Sequence, residues 1–366
     1  MFIHYRSEMI EYFFAMLRTL RPGTGTNNNI STLKALVICG DSLTDVVFAT
    51  PVIRALKVQL DDVELHVIAH VSTSFVLDEN PYVDNVHFYQ SNTWKNFKKL
   101  RDRKFDLVIN LAESWSAKVL TAMLFRTSYS VDTMRWKRWL MVNFKIDQLP
   151  NKHLVTRMFE SMETLKLKPD ELGLDYFIPE KDKVSRDWLP EPFREEYFVF
   201  CINAMYNTRK LTVDRMIELC DKINKPIVLL GTKEDFETGE VVSSFFGKSV
   251  SISYEEGLLQ LNKRTIVYNA CGKFNFNQMA SVVKQSRGVF TFDNEFIAVA
   301  SAFKKEIFGL WGNTILLFGR YPYRTKFTVL ENNRISCRPC TSKGYGKCPK
   351  GHFKCMNRII FDFYLP

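Results

Sequence analysis

Residue types able to do chemistry gather at a few places along this chain. The segment Gly40-Asp41-Ser42-Leu43-Thr44-Asp45 sets two carboxylates between a short apolar run and an apolar segment at helical spacing. Asp45 on such a turn could take a proton from an attacking hydroxyl as a general base. Asp45 or Thr44 could equally cap the helix that follows by accepting from its first amides. Arg209 and Lys210 stand before another helical segment, where on charge patterning they can be plain surface charges. Asp293 and Asn294 open a further helix, where a terminus can bind an anion or be capped by these same side chains. Near the end, Cys337-x2-Cys340-x7-Cys348-x6-Cys355 with His352 offers thiols for a tetrahedral structural Zn²⁺, for one or two disulfides, or as reduced cysteines.

These positions need elements to hold them, and the apolar patterning supplies a candidate set. Lys34–Cys39 reads as a buried parallel strand and Val46–Leu60 as a helix. Strands at Val63–Ala69 and Val86–Tyr89, helices at Ser72–Asn80 and Thr93–Arg103, and the run Asp106–Leu111 follow. A second series runs from the strand Tyr197–Asn203 through the helix Thr212–Ile223, the strand Pro226–Gly231 and the helix Lys233–Phe246. It continues with strands at Ile266–Asn269, Gly288–Phe292 and Glu306–Trp311 and helices at Asn275–Gln285 and Asn294–Phe303. Alternation of this kind implies parallel sheets with right-handed crossovers. The expected fold class is α/β, with two Rossmann-like doubly wound domains facing a central cleft and a linker between Pro179 and Glu196.

Length and composition agree with two cores: 366 residues, 46% of them hydrophobic. No apolar run is long enough to span a bilayer. Met1–Pro22 mixes apolar residues with Arg6, Glu8, Glu11, Arg18 and Arg21 and does not read as a signal peptide. It is either a helix packed on its domain or an amphipathic helix on a membrane. A formal charge of +10 favours an anionic partner, a phosphorylated substrate or an acidic membrane surface. Scattered cations without zinc-finger spacing or an RNA-binding aromatic signature argue against nucleic acid. Cys39, Cys201, Cys220 and Cys271 sit singly in apolar or helical contexts, as buried free thiols of a cytoplasmic protein do. Gly40–Asp45 lacks the Gly-x-Gly-x-x-Gly turn that a dinucleotide enzyme needs, which excludes an epimerase reading.

The run Asp45-Val-Val-Phe-Ala-Thr-Pro-Val-Ile-Arg-Ala-Leu-Lys57 resembles the amino-terminal signature of glycosyltransferase family 9, the ADP-heptose:lipopolysaccharide heptosyltransferases. Asn80–Asp84 and Phe105–Leu111 fall where that family has comparable segments, and the likeness covers roughly residues 34–360. It implies a GT-B type glycosyltransferase, with Asp45 as general base. Arg209 would take the place of a donor-phosphate Lys beside Lys210, and Glu234 that of a ribose-binding Glu, or else a charge favourable in a first helical turn. Asp293–Phe303 is similar to the family's Asp-(Thr/Ser)-Gly-x-x-His-x-Ala-Ala-Ala motif, and Cys355-Met-Asn-Arg-Ile359 to its carboxyl end. Here Glu295 replaces the Gly and Ala298 the His, and Thr44 stands where the family has Gly.

The resulting expectation is an inverting, metal-independent sugar transfer. The donor would be ADP-heptose or another nucleoside-diphosphate sugar, and the acceptor a lipopolysaccharide-core or other glycolipid or glycan, with peripheral contact at the inner membrane face. No cofactor is required. The alternative is a non-catalytic member that keeps the fold and binds a glycan, a membrane surface or a protein, which Glu295 and Ala298 favour. Expected domains are an N-terminal helix and loop (1–33), an acceptor domain (34–190), a nucleotide-sugar domain (191–330) and a Cys-rich segment (331–366).

Overall fold

The computed structural model describes residues 32–89, 98, 100–247 and 265–365. The helix expected near the N-terminus and much of that expected over Thr93–Arg103 lie outside the described residues. Internal contacts divide the chain into two units. One runs to Thr133 and resumes over Val155–Asp170; the other takes Met134–Leu154 and everything from Glu171.

The first unit contains β1 (Leu33–Ile38), α1 (Leu43–Gln59), β2 (Val63–His70), β3 (Asn85–Tyr89), β4 (Leu107–Asn110), α2 (Trp115–Met123) and β5 (Thr127–Ser130). Its strands pair in parallel in the order β3-β2-β1-β4-β5. Central β1 and β4 are covered on both faces, so Ala35–Ile38 and Leu107–Ile109 are unbroken apolar runs instead of alternating ones. Helix α1 tolerates Pro51 in its interior. Proline removes the amide that Val47 O would accept from, and Thr50 Oγ1 donates to that carbonyl at 2.8 Å instead. The helix expected over Ser72–Asn80 is reduced to a 3-10 turn, Ser74–Leu77. Thr73 and Ser74 hydroxyls donate back to the carbonyls of His70 and Val71, a local alternative to helix, and Pro81 disfavours continuation.

Helix α3 (Arg135–Phe144) belongs to the second unit, and α4 (Leu154–Glu160) opens the return segment of the first. The second unit then runs through β6 (Phe198–Cys201), α5 (Val213–Ile223), β7 (Pro226–Leu230), α6 (Phe236–Gly247), β8 (Ile266–Asn269) and α7 (Phe276–Gln285). It ends with β9 (Gly288–Phe292), α8 (Phe296–Ala302), β10 (Glu306–Trp311), β11 (Phe327–Glu331) and α9 (Lys354–Asn357). All six strands are parallel, in the order β11-β10-β9-β6-β7-β8. Counted within the unit this is 3-2-1-4-5-6, the dinucleotide-binding order, and the first unit shows the same series to its fifth strand.

The division by contacts falls at 170/171. The Pro-rich stretch 179–196, expected as the linker, forms 3-10 turns inside the second unit. Cys355, Met356, Ile359 and Phe361 from the Cys-rich segment pack into the same core as Phe198, Phe200, Phe290 and Phe308, so that segment closes the second unit's core.

Arg54 is 2% exposed on α1, and its Nε and Nη2 donate to the two carboxylate oxygens of Asp170 at 2.7 and 2.8 Å. This pair fastens the returning segment to the first unit. Replacing Arg54 with Met is expected to cost about 2–3 kcal/mol, less than a fully buried pair because the Asp170 side chain is 35% exposed. Urea unfolding checks this, and the Arg54→Met/Asp170→Asn double variant should lose less than the sum of the single changes.

Candidate functional site

Each sheet reverses its winding direction once, between β1 and β4 in the first unit and between β6 and β9 in the second. The carboxyl ends of the strands flanking such a reversal are where doubly wound folds hold ligands. Of the residues singled out in the sequence, Asp45 lies at the first of these places and Arg209, Asp293 and Asn294 at the second.

In the first unit β1 leads through Cys39 and Gly40 into α1, whose N-cap is Ser42. Ser42 Oγ accepts from the Asp45 amide at 3.2 Å and donates to Asp45 Oδ2 at 2.7 Å. Asp45 is thus held in the first helical turn, where its charge also suits the helix dipole. A Cβ on Gly40 would fall 2.6 Å from the Asp45 Cβ, so only glycine lets the strand end pass this closely over the carboxylate. The Tyr89 hydroxyl donates to Asp41 Oδ1 from the end of β3. Burial, and secondarily the Asp45 charge, push the Cys39 thiol up to about 12, which makes it a packing residue and no nucleophile. Across the reversal, buried Asn110 at the end of β4 accepts from the Ala112 amide at 3.0 Å, while its Nδ2 has no partner among the described residues.

In the second unit Asn294 joins the two strands. Its Nδ2 donates to the Asn203 carbonyl at 2.8 Å, and its Oδ1 accepts from the Phe296 amide at 2.9 Å and Thr291 Oγ1 at 2.8 Å. Asn294 therefore performs the capping role and bridges β9 to β6. Asp293 accepts from Thr314 Oγ1 at 2.6 Å, and its backbone carbonyl accepts from Arg209 Nη1, also at 2.6 Å. The Arg209 guanidinium stands 3.5 Å from the Asp293 carboxylate, and its Nε is buried without a partner among the described residues. Lys210 pairs with Asp235 at 2.6 Å.

Glu295 precedes α8 in helical conformation and makes no side-chain cap. Its carboxylate turns inward and accepts from Asn203 Nδ2 at 2.7 Å. Burial raises its pKa above the ordinary carboxyl value; the Asn203 hydrogen bond and the Arg209 charge oppose the shift without cancelling it. Ala298 is fully buried on α8.

Glu234 is exposed in the turn after β7. Its neighbour Asp235 is the buried carboxylate, closing a capping box with Thr232 and holding Lys210. Sequence reading passed over Asp235, although the Thr232-x-x-Asp235 spacing signals it. The arrangement repeats that of the first unit: a Cβ on Gly231 would fall 2.9 Å from the Asp235 Cβ, as one on Gly40 would crowd Asp45. Asn203 and Asn110 were also passed over; their signal is position, at or just past the end of a strand beside a reversal.

All eight cysteines are free. Cys337 Sγ lies 3.8 Å from His352 Nε2, and burial, ahead of neighbouring thiols, raises Cys340 and Cys355, the latter to about 11. Among the described residues no three His, Cys, Asp or Glu side chains converge in ligating geometry. Zinc held by Cys337, Cys340, Cys348 and Cys355 thus gains no support from their placement.

Two parallel sheets of this strand order, each with a polar site at its reversal, define a GT-B type protein built from two Rossmann-like domains. Solved structures of similar fold include a family 9 glycosyltransferase from Veillonella parvula, at TM-score 0.63 and 19% identity over 82% of this chain and 86% of that one. Another is the Escherichia coli ADP-heptose lipopolysaccharide heptosyltransferase II, at TM-score 0.61 and 17% identity over 89% of this chain and 98% of that one. In sequence, 90 residues are 31% identical to the Escherichia coli lipopolysaccharide heptosyltransferase 3, which is 22% of this chain and only 26% of that protein. The model of glycosyltransferase family 9 (heptosyltransferase) matches residues 93–347, and the chain belongs to that family.

The raised pKa of Glu295 sets a sign for stability. Its ionised form is disfavoured on folding, so its contribution is fully present below the unfolded-state pKa and is lost as pH rises through the folded one. Glu295→Gln should accordingly melt at a higher temperature than wild type at pH 8, and the gap should close under acid conditions; calorimetric scans across pH measure it.

Proposed function

We propose that the chain transfers a heptose or related sugar from ADP-heptose, or another nucleoside-diphosphate sugar, to a lipopolysaccharide-core or similar lipid-linked glycan. The setting is the cytoplasmic face of a membrane, with the protein peripheral to it. The observation that carries this reading is the polar cluster of Arg209, Lys210, Asp293 and Asn294 at the second unit's reversal, in a chain of the heptosyltransferase family. A related Escherichia coli heptosyltransferase of similar fold was solved with ADP, which makes adenine the first base to test.

Arg209 and Lys210 would offset charge on the departing diphosphate, with Asp293 orienting the guanidinium and Glu234 contacting the ribose. Asp45 would accept the proton of the acceptor hydroxyl as its oxygen bonds to the anomeric carbon. The bond to the diphosphate oxygen breaks in the same displacement, inverting the anomeric centre. No metal is required where cations and amides carry that charge. The cap hydrogen bond from Ser42 keeps one oxygen of Asp45 occupied and the carboxylate oriented, which suits a base.

Glu295 favours the second reading, a non-catalytic member. The cations already face the carboxylates of Asp293 and Asp235, and an ionised Glu295 would add a third negative group beside an incoming diphosphate. Titration calorimetry with ADP, UDP and GDP separates the two readings. A transferase binds one of them with a micromolar Kd. Arg209→Ala then weakens it about tenfold to a hundredfold, and Asp45→Ala leaves binding intact but lowers turnover about 10²–10⁴-fold. Wild-type affinity should rise as pH falls and Glu295 is neutralised. Absence of binding by wild type with recovery in Glu295→Gly would replace the transferase reading with the second one.

A further inference from the structure

Helix α3 buries none of its ten residues. Trp136 is 66% exposed, Trp139 45% and Phe144 59%, and Ile146 just beyond is 46% exposed. The rings form one surface: Trp136 stacks on Trp139 with centroids 4.8 Å apart, and Phe144 meets Trp139 edge-on at 5.3 Å. A helix this short is marginal in water without a covered apolar face. Its C-terminal end is fixed to the second unit, where Lys145 Nζ donates to the Pro339 carbonyl at 2.5 Å.

Charge narrows what covers the rings. From Met134 to Ile146 the chain carries Arg135, Lys137, Arg138 and Lys145 and no acidic residue. A second copy docking on this face about a two-fold axis would set the same cations against each other. An anionic lipid surface offers negative charge to the cations and an interfacial layer in which indole rings are favoured.

We propose that α3 is an interfacial anchor, placing the Trp136–Trp139–Phe144 cluster in the headgroup layer of an anionic bilayer while Arg135 and Lys137, which flank that cluster, face the lipid phosphates. This deepens the proposed function and rests on its lipid-linked acceptor, since an enzyme acting on such a substrate works at a membrane surface.

The test is co-flotation of the full chain, without nucleotide, on phosphatidylcholine vesicles with and without phosphatidylglycerol. Because nucleotide is absent, failure of donor binding and failure of anchoring are read separately. Wild type should float only with the anionic vesicles, and high salt should release it. Trp136→Ser/Trp139→Ser should lower partitioning about tenfold or more with an unchanged melting temperature. Arg135→Gln and Lys137→Gln should each lower it about fivefold. Failure of wild type to float, equal flotation on neutral vesicles, or undiminished flotation of the double Trp variant would overturn the proposal. So would sedimentation showing that the double Trp variant abolishes a dimer while lipid binding is unaffected, which would make this face a self-association surface.

Discussion

The hydrogen bond from Asn294 to the Asn203 carbonyl stands where β6 and β9 part company. At a reversal, the connections from two adjacent parallel strands leave toward opposite faces, and the backbone at the strand ends loses the cover that helices give elsewhere. The polar groups exposed there must find side-chain partners or a ligand. Asn294 meets this need three ways, bonding to β6, to Thr291 and to the first amide of α8. Because it ties β9 to β6, the neighbouring Asp293 and the Arg209 that donates to it inherit a fixed position.

That cluster is crowded with charge. Arg209 and Lys210 are each met by a carboxylate, Asp293 and Asp235, so neither presents bare positive charge. Glu295 lies inside the same network and is disfavoured as an anion by its burial. Under the transferase reading proposed above, an ionised Glu295 would raise the electrostatic cost of holding a diphosphate here. A glycine there, as in the family motif that Asp293–Phe303 resembles, carries no such charge.

The Cys-rich segment has a mechanical role that its spacing does not advertise. Cys355, Met356, Ile359 and Phe361 fill the second unit's core, and Arg338 donates to the Thr314 carbonyl and pairs with Glu331. Thr314 in turn donates to Asp293. The segment therefore supports the loop behind the candidate site, and α3 is pinned to it through Pro339.

By itself the sequence determined the parallel α/β class, most of the strands and the place of Asp45 at a strand-to-helix turn. Buried parallel strands are continuous apolar runs and turn chemistry is local, so both are legible one segment at a time. Only the tertiary structure decided that Asp235, not Glu234, is the buried carboxylate, that Asn203 and Asn294 join two strands, and that Glu295 turns inward. It also decided that residues 134–154 belong with the second unit and that Ser72–Asn80 collapses to a single turn. These outcomes depend on partners 25 to 194 residues away or on side chains competing for the same carbonyls, and no periodicity encodes either.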